Sequence, residues 1–196
     1  MYMSCTEIMH PEAVAAVRLL LIYIGDNPNR EGLKETPERV LRSYHELFSG
    51  YQVDETALAK MLKVFEDGAC DEIVLLKHIS FVSFCEHHLL PFTGFAHIAY
   101  LPDKKVVGVS KLARILDVFS RRLQIQERIS QQVTTAMDMY LKPRGSACIL
   151  EATHECMTCR GVKKPGSVLV TSSVTGAFRE DPSARAELFS LIRGCN

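Results

Sequence analysis

No excess of either charge marks the sequence: 23 lysines and arginines stand against 23 aspartates and glutamates. That balance removes any overall electrostatic reason to expect a nucleic acid or an acidic membrane as partner, while leaving room for a local cluster that binds an anion. Long apolar runs are missing as well. The longest near the N-terminus, AVAAVRLLLIYIG, carries Arg18 and is too short to span a bilayer. It lacks the basic leader and small-residue cleavage site of a signal peptide, so the chain reads as cytoplasmic, and its short N-terminus offers no obvious regulatory extension. A disulfide framework is not expected either. Seven cysteines, an odd count, are spread from Cys5 to Cys195, and thiols in a reducing compartment are free for metal or for packing. Internal repeats and low-complexity linkers are absent. There is no glycine-rich P-loop, so a bound nucleotide would be held by scattered side chains.

What is present is the composition of an ordinary soluble protein, 47% hydrophobic and 23% charged over 196 residues, enough for one sizeable core. Pro11 and the run after it predict a helix closing at Gly25. Thr36 as cap and Pro37 in the first helical position predict a second helix to about Phe48, and a third follows Asp54. From Asp71 the texture changes. EIVLLKHISFVSF and GFAHIAYLP read as strands, then VSKLARILDVFSRRLQ and QERISQQVTTAMDMYL as helices, with Ser110 a cap and Pro143 a stop. SACILEATHECM and SVLVTSSVTGAF read as strands again, and SARAELFSLIR as a closing helix. The order predicts an α+β fold with an antiparallel sheet: a helical region over 1–70, then a unit over 71–196.

The chemistry concentrates in SFCEHHLLPF, where Cys85, Glu86, His87 and His88 sit side by side. Cys85 and His88 are three apart, a spacing that wraps one ion only if the chain bends at Glu86 and His87, since strand side chains alternate. A second cluster lies in THECMTCRG. On a strand His154 and Cys156 share a face, while Glu155 and Cys159 point elsewhere. Two sites remain open at this point. A closed structural zinc site uses Cys85, His88, Cys156 and Cys159; an open catalytic one uses Cys85, His88 and Cys156 and leaves His87 and His154 beside it for proton transfer. Spacing alone slightly favours the closed site, but two histidines beyond the ligands are more than structure needs. A basic group, Ser110, Lys111 and Arg114 at a helix start with Arg160 beyond the second cluster, suits an anion. Gln126 and Glu127, at the break between the two long helices, add a carboxylate able to accept hydrogen bonds from a base edge.

These motifs carry a resemblance. CEHHLLPFTGFAHIAY, VVGVSKLARILDVFSRRLQIQERIS, EATHECMTCRGV and GAFREDPSARAEL resemble GTP cyclohydrolase I, and NPNREGLKETPERV is similar to its helical N-terminal part. The resemblance implies the tunnelling fold (T-fold), an antiparallel four-stranded sheet with two helices between the strand pairs. It implies conversion of GTP to 7,8-dihydroneopterin triphosphate and formate, the entry to folate or tetrahydrobiopterin, in a homodecamer of two pentamers with sites between neighbouring subunits. Carried over, one zinc per subunit falls on Cys85, His88 and Cys156, and acid/base work on His87 and His154, with Ser110 near the ribose. Guanine falls to Glu127 helped by Gln126, and the triphosphate to Lys111, Arg114 and Arg160, with Arg39 and Arg42 from an adjacent subunit. Two positions depart from the family pattern: Glu155 replaces an apolar or aromatic residue, and Cys159 stands where no ligand is needed. The rival readings are a zinc-stabilised interaction module without catalysis and the related nitrile reductase of the queuosine pathway.

Overall fold

A computed structural model of the chain describes residues 10–62, 64–65 and 70–194. They fall into two compact units that divide between Ser49 and Gly50.

The first unit is helical. Helix α1 (Pro11–Tyr23) opens on its proline, which fixes φ where no amide is needed, and Gly25 ends the run at φ +91°. Helix α2 (Thr36–Leu47) begins one residue earlier than its sequence predicts. Glu35 holds the cap position, and Thr36 turns its hydroxyl back to the Gly32 carbonyl, so it does not cap the helix. An Asp26–Arg30 pair, 2.8 Å, tightens the turn between the helices. Leu19, Leu20, Ile22 and Tyr23 of α1 are all exposed, and the helix buries none of its residues.

The second unit starts with α3 (Glu55–Met61), where the Asp54 carboxylate caps by accepting from the Ala57 amide at 2.7 Å. Then come β1 (Val64–Phe65), β2 (Val74–Cys85), β3 (Pro91–Leu101), β4 (Val106–Val107), α4 (Val109–Ser120), β5 (Leu123–Gln124) and α5 (Gln126–Leu141). The chain closes with β6 (Gly145–His154), α6 (Glu155–Thr158), β7 (Leu169–Val174), α7 (Ala177–Glu180) and α8 (Pro182–Arg193). The sheet order is β5-β2-β3-β6-β7, antiparallel except where β5 joins β2, and β1 pairs separately with β4. The fold is therefore α+β with an antiparallel sheet. The four expected strands are present, and the two-residue β5 adds a fifth at the edge.

Helices α4 and α5 cover one face, packing Leu112, Ile115, Ile129 and Val133 against Phe92 and Leu150. Burying each such side chain contributes roughly 1.5–3 kcal/mol relative to exposure. On the opposite face Phe178 and Leu188, from α7 and α8, pack with Ala99, Ala147 and Ile149. Strands β3 and β6 run so close at Gly94 that a Cβ there would lie 1.8 Å from the Glu151 carbonyl oxygen, which excludes any side chain.

Three local expectations are corrected. Gly108, without a side-chain cap, precedes α4, so Ser110 lies inside the helix. The strand expected through Met157 stops at His154, because residues 155–158 form the helical turn α6. Glu155 suits a helix N-terminus and its carboxylate accepts from the Thr158 hydroxyl at 2.7 Å, while Gly161 at φ +63° lets the chain leave the turn. Likewise the last strand ends at Val174, and Ala177–Glu180 is helical.

Register brings the ends of four elements together. Phe84 pairs with both Pro91 and Leu123, and Phe92 pairs with His154, so the ends of β2 and β6 and the starts of β3 and α5 meet. The start of α4 lies at the other end of the sheet, where the Val107 amide donates to the Tyr100 hydroxyl and Tyr100 pairs with Val74.

Candidate active site

Strand β2 ends at Cys85 because the chain turns there. The Cys85 carbonyl accepts from the Leu89 amide at 2.9 Å, the Cys85 amide donates to the Leu90 carbonyl at 2.9 Å, and Leu89 adopts φ +54°. This is the bend that a Cys-x-x-His pair needs. It sets the Cys85 sulfur 3.5 Å from His88 Nδ1 and 3.7 Å from His87 Nδ1. From the other side α6 presents Cys156. One ligand atom each from Cys85, His88 and Cys156 lies within 4.8 Å of the others.

Two thiols and an imidazole are borderline-soft donors of the kind zinc takes. Their electrostatics fit a cation: the Cys156 thiol is pushed up by burial first and then by Cys85 beside it, a crowding that a divalent ion would relieve. The residues therefore fit the zinc that the family resemblance implies. Cys159 lies outside the group; it is exposed and its Sγ donates to the Glu155 carbonyl at 2.9 Å.

Glu86 is held by Arg128, whose guanidinium donates to both carboxylate oxygens at 2.5 and 3.1 Å. That hydrogen bonding, more than simple charge, keeps its carboxyl below the usual range. No local pattern could have indicated Glu86 as the partner of Arg128, which lies 42 residues away. His87 is exposed, with Nε2 4.0 Å from the same carboxylate. Arg160 directs Nη1 at His88 Nε2, 3.5 Å away, which places one basic candidate at the metal group.

His154 ends β6 with its ring stacked on Phe92, centroids 4.4 Å apart and planes 3° from parallel. Burial holds this imidazole below its ordinary value, and Glu127 pulls the other way. Its Nε2 lies 2.8 Å from Gln126 Oε1. Gln126 is fully buried, its amide nitrogen bonded to the carbonyls of Leu150 and Leu169. Glu127, next along α5, is exposed and lines a cleft of about 550 Å³ with Ser130, Gln131, Thr171, Ser173 and Arg179.

Three further candidates are not brought to the metal group by the fold of the second unit. Ser110, Lys111 and Arg114 lie on the first turns of α4, at the Tyr100 end of the sheet. Helix α4 runs back from there toward β5, where Leu123 pairs with Phe84, so its first turns stand about a helix length, roughly 18 Å, from the end that carries the metal turn. In the first unit Arg39 pairs with Glu35 at 2.9 Å and donates to the Gly32 carbonyl, and Arg42 is exposed.

A three-donor group with two further imidazoles beside it, at one end of an antiparallel sheet, is the arrangement of a metal-assisted hydrolase. The family model for GTP cyclohydrolase I matches residues 13–193. The chain is 53% identical to GTP cyclohydrolase 1 of Synechococcus sp. (strain JA-3-3Ab) over 96% of its length and 81% of the relative's. It is 51% identical to that of Bartonella quintana, covering 93% and 88% of the two chains. With that of Wolinella succinogenes it shares 51% identity over 90% and 94%. The chain belongs to the GTP cyclohydrolase I family. Its chemistry is that of a GTP cyclohydrolase, a hydrolase of folate and pterin biosynthesis.

Proposed function

We propose that the cluster at the ends of β2 and β6 opens the imidazole ring of GTP at C8, releases that carbon as formate, and closes the product to 7,8-dihydroneopterin triphosphate. The observation that carries this reading is the convergence of Cys85, His88 and Cys156, with His87 and His154 beside them. Cys85, His88 and Cys156 would hold zinc, which when bound would supply Lewis acidity and lower the pKa of water to about 7.

The chain's own residues do the rest. His154, stacked and anchored, delivers a proton to N7 of guanine and relieves the charge that develops when C8 is attacked. His87, exposed at the turn, serves the water and formyl steps. Glu127 accepts from N1–H and the 2-amino group in the cleft it lines, which selects guanine over adenine because adenine offers no such pair of donors. Glu86, tied to Arg128, stays ionised and fixes the turn instead of exchanging protons. Lys111, Arg114 and Arg160 hold the triphosphate, with Ser110 near the ribose.

Because α4 begins far from Cys85, we assign Ser110, Lys111 and Arg114 at a given site to a neighbouring subunit, with Arg39 and Arg42 as further phosphate contacts from an adjacent one. The full assembly is then the homodecamer of two pentamers in the tunnelling fold, one zinc per subunit, working in the cytoplasm. The apolar surface that α1 leaves exposed supports self-association. Among the described residues no helix is long and apolar enough to cross a membrane.

The test is GTP turnover by protein stripped of metal and then reloaded with zinc, following formate and pterin together. Zinc-dependent appearance of both is expected. Formate without pterin places the fault in the ribose steps around Ser110. Neither product, with zinc tightly bound, returns the site to a structural role.

A further inference from the structure

We infer that Gln126 is a positioning residue that locks His154 in one tautomer, with the ring proton on Nε2, so that Nδ1 is the atom through which this imidazole exchanges a proton with substrate. The catalytic half of this inference rests on the reading of His154 given above; the tautomer does not.

The argument is one of hydrogen-bond satisfaction. The Gln126 side chain is wholly buried, so each of its polar atoms needs a protein partner. Nε2 lies 3.0 Å from the Leu150 carbonyl, 3.0 Å from the Leu169 carbonyl and 3.2 Å from the Thr171 hydroxyl. Carbonyl oxygens only accept, so the atom facing two of them must be the NH2 group. A flipped amide would set its oxygen against both carbonyls with no hydrogen between. The orientation of the amide is thereby fixed, and Oε1 is the atom that meets His154 Nε2 at 2.8 Å. An amide oxygen has no proton to give, so the imidazole donates and Nε2 carries hydrogen. Nδ1 has no hydrogen-bond partner among the described residues and is left for substrate.

The ring cannot escape this arrangement by rotating. Phe92 stacks on it within 3° of parallel, and the two residues are directly paired across β3 and β6. Gln126 itself is held from two strands, β6 through Leu150 and β7 through Leu169 and Thr171. One amide at the first turn of α5 thus ties the helix to two strands and holds the histidine that ends the first of them.

The chemical consequence is directional. When His154 protonates N7 of guanine, the N–H bond that breaks is at Nδ1 of the imidazolium, and its electron pair remains on Nδ1. The ring returns to the neutral Nε2–H form that Gln126 already holds, and no proton passes through Gln126. A histidine free to adopt either tautomer would present the wrong nitrogen part of the time. Gln126 is also removed from direct contact with the base, since its amide is fully engaged inside the chain.

The test uses zinc-loaded protein labelled with 15N-histidine and magic-angle-spinning NMR, with His154 assigned through a His154→Asn control. The parent should show His154 with a proton bonded to Nε2 and a bare Nδ1. Gln126→Met removes the acceptor at nearly constant volume; a mixture of tautomers is expected, with kcat falling roughly 100-fold and KM for GTP moving less than about threefold. Gln126→Glu, whose buried carboxyl must keep its proton to donate toward the Leu150 and Leu169 carbonyls, leaves its other oxygen to accept from the ring and should preserve the Nε2–H tautomer. A parent spectrum with the proton on Nδ1 overturns the proposal, whatever the variants do. So does Gln126→Met with an unchanged tautomer, or with raised KM and undiminished kcat, which would mean that Gln126 reads the base. If Gln126→Met fails to fold, the parent and Gln126→Glu spectra decide. Absence of GTP turnover in a parent that shows the Nε2–H form would defeat the proposed function and leave the tautomer standing.

Discussion

At the scale of single residues, two side chains invite experiment. Cys159 is three positions beyond a metal-group thiol, yet its sulfur is turned to the Glu155 carbonyl. Cys159→Ala should keep one zinc per chain by elemental analysis and the turnover of the parent; loss of zinc would restore the four-ligand site. His97 is 4% exposed with Nδ1 unpartnered, and burial, followed by the charge of His78, depresses its basicity. A histidine kept neutral in the fold but free to protonate when unfolded contributes stability that is complete above its ordinary value of 6.5 and is lost as pH falls below it. The thermal midpoint should therefore drop on acidification through that range, and His97→Gln should flatten the drop. An unchanged slope would show that His97 is not the titrating group.

Elements explain why some of this could be read from the sequence and some could not. Cys85 and His88 announce themselves because their convergence needs only a local bend, which Leu-Leu-Pro after them favours and which the turn at Cys85 supplies. Cys156 was also identifiable, but on the wrong element. Alternation along a strand placed it on the face of His154, whereas the strand stops at His154 and a helical turn carries the cysteine in. A four-residue helix is too short for periodicity to register. Least legible were the contacts that join residues 28 and 42 apart, His154 to Gln126 and Glu86 to Arg128, since they exist only once α5 docks on the sheet. The second of these makes α5 a brace for the metal turn. Arg128→Met should lower zinc affinity about ten- to a hundredfold, as loss of groups supporting metal ligands does, while full loading at saturating zinc is retained. Competition against a chelator measures it, and unchanged affinity would make the ion pair incidental to the site.

For the whole molecule, the distribution of the basic residues is the central fact. Arg160 reaches the metal group from within the chain, whereas Lys111 and Arg114 begin a helix at the far end of the sheet. If a triphosphate spans both, the two sets must come from different subunits, and function becomes a property of the ring rather than of the chain. That is testable by mixing. Lys111→Ala and Cys156→Ala should each abolish turnover alone, the first by removing a phosphate contact and the second by removing a metal ligand. Co-expressed in equal amounts, they should recover activity, because a chain with intact Cys156 can sit beside one with intact Lys111. Random placement in a closed ring creates such a neighbour pair at roughly a quarter of the sites, so recovery near that fraction is the expected result. Sites built within one chain would recover nothing, since every chain in the mixture carries one defect. Assembly is checked on the same samples by size, so that a failure to form mixed rings is distinguished from a site that needs no neighbour.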